Sequence, residues 1–150
     1  VSVRRGGREI QDPTINSLSK HNCIAACIQA AERGGEEGLM LDPNGYVSTC
    51  NSTHFFMVKD EQVWTSSGNY CLDGITRRKV LEICKTNGIP TYVGNFSFED
   101  VRAADEAFVT GTFAGLTPVI SFDGIPINDR SRGPICERLQ DLYMSLVREG

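Results

Sequence analysis

The sequence predicts an α/β or α+β domain, and three observations support this prediction. Segments with helical apolar spacing alternate along the chain with short runs of β-branched and aromatic residues. The length of 150 residues suits one domain with one hydrophobic core. The sequence contains no internal repeat and no apolar run close to the roughly 20 residues of a membrane span. We therefore expect one soluble globular domain.

The first predicted helix spans residues 17–33. Asn16 or Ser17 can cap its N-terminus, and the Gly34-Gly35 pair can end it. Its apolar residues at helical spacing are Ile24, Cys27, Ile28 and Ala31. This spacing gives the predicted helix one apolar stripe.

Strand composition dominates the part of the chain that follows. The segments "EGLMLD" (37–42) and "YVSTCNSTHFFMVKD" (46–60) are joined by the turn residues "PNG", which indicates a hairpin. "VWTS" is the next strand segment. Phe55, Phe56 and Trp64 are expected in the core.

The second half of the chain also alternates helix and strand. Gly74 precedes the helical segment "ITRRKVLEICKT", which Asn87-Gly88 ends. "IPTYVGNF" is a strand, and Ser97 and Asp100 have the spacing of a capping box that opens a short helix. "DEAFVTGTFAGLTPVISFDG" returns to strand. An amphipathic helix closes the chain, with its apolar stripe formed by Ile135, Leu139, Leu142 and Leu146.

Charge and cysteine content argue against a nucleic-acid surface and against a metal site. The net charge of −4, with acids and bases interspersed, argues against a nucleic-acid surface, and the Arg4, Arg5 and Arg8 cluster is interpreted as a solvated edge. The six cysteines are expected to be reduced and mostly buried. Cys23 and Cys27 have the i, i+4 spacing of half a metal site, but no second pair completes it, so no metal is predicted.

Two stretches have the composition of an anion-binding site. In "GITR", Gly74 allows close backbone approach, and the amides of Ile75 and Thr76 open a helix whose dipole favours a phosphate. In "TGT", Thr110, Gly111 and Thr112 stand at a strand end, where a hydroxyl and a free amide can add donors. Either stretch alone is also typical of an ordinary cap or strand end.

Five blocks, taken in order, resemble the class IV aminotransferases, the fold-type IV pyridoxal-phosphate enzymes that include branched-chain and D-amino-acid aminotransferases. The blocks are "EGLMLDPNGYV", "FFMVKD", "GITR", "ADEAFVTGTFAGLTPVISFDG" and "GPICERLQDLY". The resemblance implies the fold of the larger, C-terminal domain of that family: a mixed sheet or pseudo-barrel with flanking helices. It places that domain at residues 13–150, after a lead-in of residues 1–12 and without the family's small N-terminal domain.

The resemblance also implies a cofactor, pyridoxal 5'-phosphate. The backbone amides of Ile75 and Thr76, together with the Thr112 hydroxyl beside Gly111, match the family positions that hold the cofactor phosphate. His54 stands where family members often have an asparagine near the cofactor. We consider two interpretations of His54. It contacts the cofactor ring or a substrate carboxylate, or it is a hydrogen-bonded strand residue.

Two catalytic positions depart from the family pattern. Asn16 stands where the family has its Schiff-base lysine, and an amide cannot form that bond. Thr49 stands where the family has a glutamate on the pyridine nitrogen, and a neutral hydroxyl cannot stabilise a pyridinium charge. Lys20 follows Asn16 by four residues, so in a helix it would lie one turn away and could act as a displaced lysine.

These departures leave two functional hypotheses open. The first is an aminotransferase that moves an amino group between an amino acid and a 2-oxo acid. The alternative is a binding or structural protein that keeps the fold without the reaction, with the cofactor noncovalent or absent. The family resemblance further implies a homodimer, and we expect a cytoplasmic protein, with an organelle as the other compartment considered. No membrane partner is expected.

Overall fold

A computed structural model describes residues 1–9 and 11–150. Within these residues, the α-helices are α1 (His21–Glu32), α2 (Ile75–Thr86), α3 (Phe98–Arg102) and α4 (Pro134–Glu149). The strands are β1 (Leu39–Leu41), β2 (Val47–Cys50), β3 (His54–Lys59), β4 (Gln62–Thr65), β5 (Thr91–Val93), β6 (Glu106–Gly111), β7 (Gly115–Pro118), β8 (Ser121–Phe122) and β9 (Ile125–Pro126). A 3-10 turn at Asn128–Arg130 precedes α4.

A five-stranded sheet with the order β5-β4-β3-β6-β7 forms the centre of the domain. Strands β4 and β5 are parallel, and the other neighbours are antiparallel. Two small hairpins, β1-β2 and β8-β9, complete the strand set of the described residues. The predicted mixed sheet with flanking helices is therefore confirmed.

Each face of the central sheet carries its own apolar cluster. On one face, Phe56 and Phe108 stack with their ring centroids 5.0 Å apart and pack beneath α2 and α4. On the other face, Met57 and Val109 pack against the β1-β2 hairpin and α3. The alternation of side chains along β3 and β6 divides the core in this way, because successive residues of a strand point to opposite faces.

Helix α1 differs from its prediction at its start and on its buried face. The helix begins at His21, because Ser17 Oγ accepts the Ser19 N–H at 3.1 Å and holds a local turn before it. Ile24 and Ile28 are more than half exposed, whereas Ala26 is fully buried. A Cβ at Gly38 would lie 2.8 Å from the carbonyl oxygen of Ala26, so the backbone of the strand region approaches too closely for larger side chains.

The long strand predicted at residues 46–60 is divided in two. Residues 51–53 form a bend between β2 and β3, in which the Cys50 N–H donates to the Thr53 carbonyl at 3.0 Å. This bend turns the chain from the small hairpin into the central sheet. It also places polar residues at the edge of the site described below.

The remaining helices and strands are of the predicted kind, but two predicted strand segments differ in extent. Strand β5 covers three residues of "IPTYVGNF", and "DEAFVTGTFAGLTPVISFDG" is divided among β6, β7 and β8. Helix α2 begins after Gly74, and Ser97 and Asp100 form the predicted capping box at α3. The six cysteines are free, four of them buried, and no cluster of metal-ligating side chains occurs among the described residues. In the same part of the chain, no helix combines the length and apolarity required to cross a bilayer.

Candidate functional site

A cavity of about 350 Å³ lies between the segment that precedes α1 and the bend that joins β2 to β3. Residues 11–13, 15–17, 19–23 and 49–54 supply most of its walls, and Arg5, Gly6 and Leu72 complete it. Much of this lining consists of turns rather than regular structure, which leaves polar backbone and side-chain groups free to face the cavity. The cavity is therefore the candidate active site.

Hydrogen bonds from polar side chains fix the bend that forms one wall of the cavity. Thr49 Oγ1 donates to the Thr53 carbonyl at 2.7 Å, and Asn51 Oδ1 accepts the Gly38 N–H at 2.7 Å. The Ser52 hydroxyl bonds to Glu37. The polar run "TCNST" therefore bonds within the bend and to the residues that directly precede β1, and these bonds fix the position of the wall.

The Thr49 hydroxyl can still accept a hydrogen bond, although it can no longer donate one. Its side chain is 5% exposed and lines the cavity, but its single proton is already donated to Thr53. A hydroxyl has one proton and two lone pairs, so the oxygen can still accept from a donor in the cavity. Thr49 can thus accept a hydrogen bond from a protonated ring nitrogen, but it cannot supply a negative charge.

Asn16 and Lys20 both line the cavity, although not through the predicted helical relation. Because α1 begins at His21, Asn16 lies in the preceding turn and Lys20 is the N-cap residue of the helix. The prediction that the two residues lie one helical turn apart is therefore wrong. Lys20 reaches the cavity because it stands where the turn enters the helix, and it is the one lysine among the described lining residues.

The N-terminus of α2 adjoins the cavity through His54. The residues that open α2 are Ile75, which is exposed, and Thr76, which is buried behind the N-cap residue Gly74. The His54 ring packs on Gly74 so closely that a Cβ there would lie 2.5 Å from Nε2. Amides in the first turn of a helix have no partner within the helix, so this end of α2 offers donors for an anion.

The end of β6 completes the same corner of the molecule. Gly111 is the last residue of β6, and the Thr53 methyl group would lie 3.5 Å from a Cβ built on it. Thr112 is exposed just beyond it. Gly111, Thr112, Ile75 and Thr76 do not line the cavity itself. Gly111 lies against Thr53, and Gly74, which precedes Ile75, lies against His54, and both Thr53 and His54 line the cavity.

Two threonine hydroxyls in this corner are buried without a hydrogen-bond partner among the described residues: those of Thr53 and Thr110. Thr110 has no exposed surface and is paired directly with His54 across β3 and β6. A buried hydroxyl without a partner is destabilising, so such groups are commonly reserved for a ligand or a water molecule. The two hydroxyls therefore make this corner a candidate binding site, on grounds separate from the helix terminus.

Arg5 is a site residue that sequence reasoning missed. Its guanidinium donates to the Tyr70 carbonyl at 2.9 Å, to Cys23 Sγ at 2.8 Å and to the Pro13 carbonyl at 3.4 Å. The interpretation of Arg5 as part of a solvated edge is therefore wrong. The side chain holds the cavity walls together, and contacts that span up to 65 residues leave no local signal in the sequence.

His54 is neutral at physiological pH in this environment. Burial lowers the pKa of its imidazole from 6.5 to about 4, and the positive charges of Arg77 and Arg5 contribute to this lowering against the opposing effect of Asp73. At neutral pH the ring therefore carries one N–H donor and one acceptor nitrogen.

Lowering the pH from 7 to 4 is expected to reduce the free energy of unfolding by roughly 1–3 kcal/mol through His54. The unfolded imidazole, with a pKa of 6.5, takes up a proton before the native one, whose pKa is about 4. The contribution of His54 to the free energy of unfolding is therefore fully present above pH 6.5, and it is lost as the pH falls toward 4.

Urea denaturation across this pH range measures the effect. The His54→Asn variant should lose this part of the pH dependence, and the exposed His21→Asn variant should keep it. Equal pH dependence in His54→Asn and the unchanged protein would contradict the prediction.

Comparison with known proteins relates this site to a family. The sequence model described as amino-transferase class IV matches residues 1–122. The branched-chain-amino-acid aminotransferase of Pseudomonas aeruginosa is 38% identical over 126 residues, which cover 84% of this chain and 41% of that protein. The D-alanine aminotransferase of Listeria innocua is 33% identical over 134 residues, which cover 89% of this chain and 46% of that protein.

A solved structure shows the same fold. The branched-chain amino acid aminotransferase of Thermobaculum terrenum, crystallised in its PLP-bound holo form, is 29% identical with a TM-score of 0.92. The match covers 97% of this chain and 48% of that one. The chain therefore spans less than half the length of each of these three relatives.

Proposed function

This chain belongs to the class IV aminotransferase family, and we propose that it forms the pyridoxal-phosphate-binding part of an enzyme that transfers an amino group between an amino acid and a 2-oxo acid. The observation that carries this proposal is the presence of Lys20 and Thr49 in one cavity whose edge, at His54, adjoins the N-terminus of α2. The protein groups that this cofactor uses are an amine, a partner for the ring nitrogen and donors for the phosphate, and Thr49 would supply the second as a neutral acceptor.

The residues present fit the cofactor. The cavity volume of about 350 Å³ falls within the range of small-molecule sites. The backbone amides of Ile75 and Thr76 would hold the phosphate, with the Thr112 hydroxyl beside Gly111 as a further donor. The unpartnered, buried hydroxyl of Thr110 supports this assignment, because it lies beside His54 and needs an acceptor or donor of its own.

When bound, pyridoxal phosphate supplies an aldehyde that accepts amino groups and a conjugated ring that withdraws electrons. Thr49 Oγ1 would accept a hydrogen bond from the ring nitrogen and so orient the ring. The Lys20 amine would hold the cofactor covalently and carry a proton at Nζ to and from the substrate carbon. Asn16 would contribute only hydrogen bonds, since its amide is neither nucleophilic nor basic.

Covalent labelling tests the role of Lys20. The full chain is mixed with pyridoxal phosphate, reduced with borohydride and digested, and any pyridoxyl-lysine is located by mass spectrometry. We expect the label on Lys20 and at least about a tenfold loss of total label in Lys20→Arg. Lys79→Arg is the matched control, because Lys79 is exposed on α2 and pairs with Glu82 at 3.0 Å.

The inactive alternative predicts a different result in the same experiment. Native protein would then carry no specific label, and Asn16→Lys would acquire one at residue 16. A label on Lys20 contradicts that alternative, and a native protein without label contradicts the role proposed for Lys20.

We also propose a homodimeric protein of the cytoplasm, with residues 13–150 as the family domain and residues 1–12 as its lead-in. The exposed apolar side chains of Leu18, Ile24 and Ile28 support self-association, because a second copy that covers them would remove apolar surface from water. The homologous aminotransferases support an amino acid and a 2-oxo acid as the small-molecule partners.

A further inference from the structure

We propose that His54 couples proton uptake to phosphate binding at the N-terminus of α2, so that the phosphate group of a ligand is bound together with a proton. This inference rests on the phosphate site proposed above and assigns that site one further residue. In this inference His54 contacts the phosphate and sets the net charge around it.

The His54 imidazole reaches the N-terminus of α2, the proposed phosphate site, from strand β3 of the central sheet. His54 is the first residue of β3, and its ring lies against Gly74, the residue that caps α2. A phosphate held by the amides of Ile75 and Thr76 would therefore meet the ring edge as well as the helix terminus. Because Gly74 has no Cβ, the ring can lie directly against its backbone, with Nε2 2.5 Å from the position that a Cβ would take.

A second observation supports a ligand at this place. Thr110 is paired with His54 across β3 and β6, and paired residues of antiparallel strands project to the same face of the sheet. The Thr110 hydroxyl has no exposed surface and no hydrogen-bond partner among the described residues. A phosphate oxygen near the ring would supply the acceptor that this hydroxyl lacks.

The charges around His54 explain why its protonation depends on a bound anion. Arg77 approaches from α2 and Arg5 from the lead-in, and both disfavour a second positive charge on the ring. Asp73, just before α2, opposes them. The remaining titratable groups of the adjoining cavity are Asp12, Lys20, His21, Cys23 and Cys50.

A bound phosphate dianion would favour the protonated form of His54, which the two arginines disfavour. In the absence of an anion, burial and the two arginines hold the pKa of His54 at about 4. An opposite charge within about 4–6 Å typically shifts a pKa by roughly one to three units toward the charged form. The pKa in the complex then lies between roughly 5 and 7, so binding near pH 6 takes up a substantial fraction of a proton.

Calorimetry with pyridoxamine 5'-phosphate tests the coupling, because this probe carries the phosphate and ring but no aldehyde to react with Lys20. Binding enthalpies measured near pH 6 in two phosphate-free buffers of different ionisation enthalpy give the number of protons taken up. The probe titrates on its own phosphate, so the comparison is with His54→Asn under the same conditions. His21→Asn is the matched control on the cavity wall.

We expect the unchanged protein and His21→Asn to take up roughly half a proton more than His54→Asn near pH 6, and the difference to vanish near pH 8. Equal proton uptake by all three proteins would overturn the inference and leave the phosphate site in place. Absence of probe binding at millimolar concentration in every protein would overturn the phosphate site itself.

NMR of the histidine-labelled protein gives a second test, which uses only the unchanged protein and so does not depend on the folding of a variant. In the unchanged protein, saturation with the probe should raise the titration midpoint of His54 by at least about one unit. A His54 midpoint that the probe does not move would also overturn the inference.

Discussion

The Gly133→Ala variant is expected to lose about 3 kcal/mol or more of its free energy of unfolding. Gly133 directly precedes α4, and a Cβ there would overlap Cγ and Cδ of Glu106. The Glu106 carboxylate is 5% exposed and accepts the N–H groups of Ile135 at 3.1 Å and Cys136 at 2.8 Å. The added methyl group would displace this buried charge and leave the first turn of α4 without its acceptor.

Denaturant unfolding of two control variants separates this overlap from a general cost of replacing glycine. Gly7 has no atom within 4 Å of an added Cβ, so Gly7→Ala should unfold like the unchanged protein. Glu106→Ala is itself destabilising, but it removes the overlapping atoms, so adding Gly133→Ala to it should cost less than about 1 kcal/mol. An equal cost of Gly133→Ala in both backgrounds would contradict the overlap.

Local signals were sufficient to predict most of the elements. The short helix α3 was predicted correctly because Ser97 and Asp100 satisfy each other's N-terminal groups within four residues. Helix α2 was predicted correctly because Gly74 and Asn87-Gly88 mark both of its ends. In each case the determining interactions lie inside the element, so the sequence pattern is enough.

The buried face of α1 could not be predicted in the same way. Its apolar stripe includes Ile24 and Ile28, yet the core contacts Ala26 and Ala30. The choice depends on how closely Gly38 approaches the helix, and that distance is set by a strand region outside it. Helical periodicity identifies an apolar face, but tertiary contact decides which face is buried.

The candidate site shows the same division between local and distant signals. The helix terminus at Ile75 and Thr76 was predicted from its glycine, and the structure places it beside the cavity wall at His54. The contact of His54 with Gly74 joins distant parts of the chain, and Arg5 reaches Tyr70 across 65 positions. Such contacts follow from the packing of strands and loops, so no spacing rule reveals them.

The Gly74→Ala variant is expected to weaken binding of pyridoxamine 5'-phosphate by at least about tenfold near neutral pH. The backbone of Gly74 is extended, with φ of −70° and ψ of 135°, so alanine fits it without strain. The effect arises from the added Cβ, which would lie 2.5 Å from Nε2 and 2.7 Å from Cδ2 of His54. We expect the ring to shift toward the amides of Ile75 and Thr76, where the phosphate would bind.

Titration calorimetry measures the affinity, and a second substitution identifies the cause. In a His54→Ala background the methyl group has free space, so Gly74→Ala should change the dissociation constant by less than about twofold. The same tenfold loss in both backgrounds would show that the methyl group blocks the ligand directly. Unchanged affinity in the single variant would contradict a phosphate site at this helix terminus, because any ligand bound there must contact the cap and the ring that rests on it.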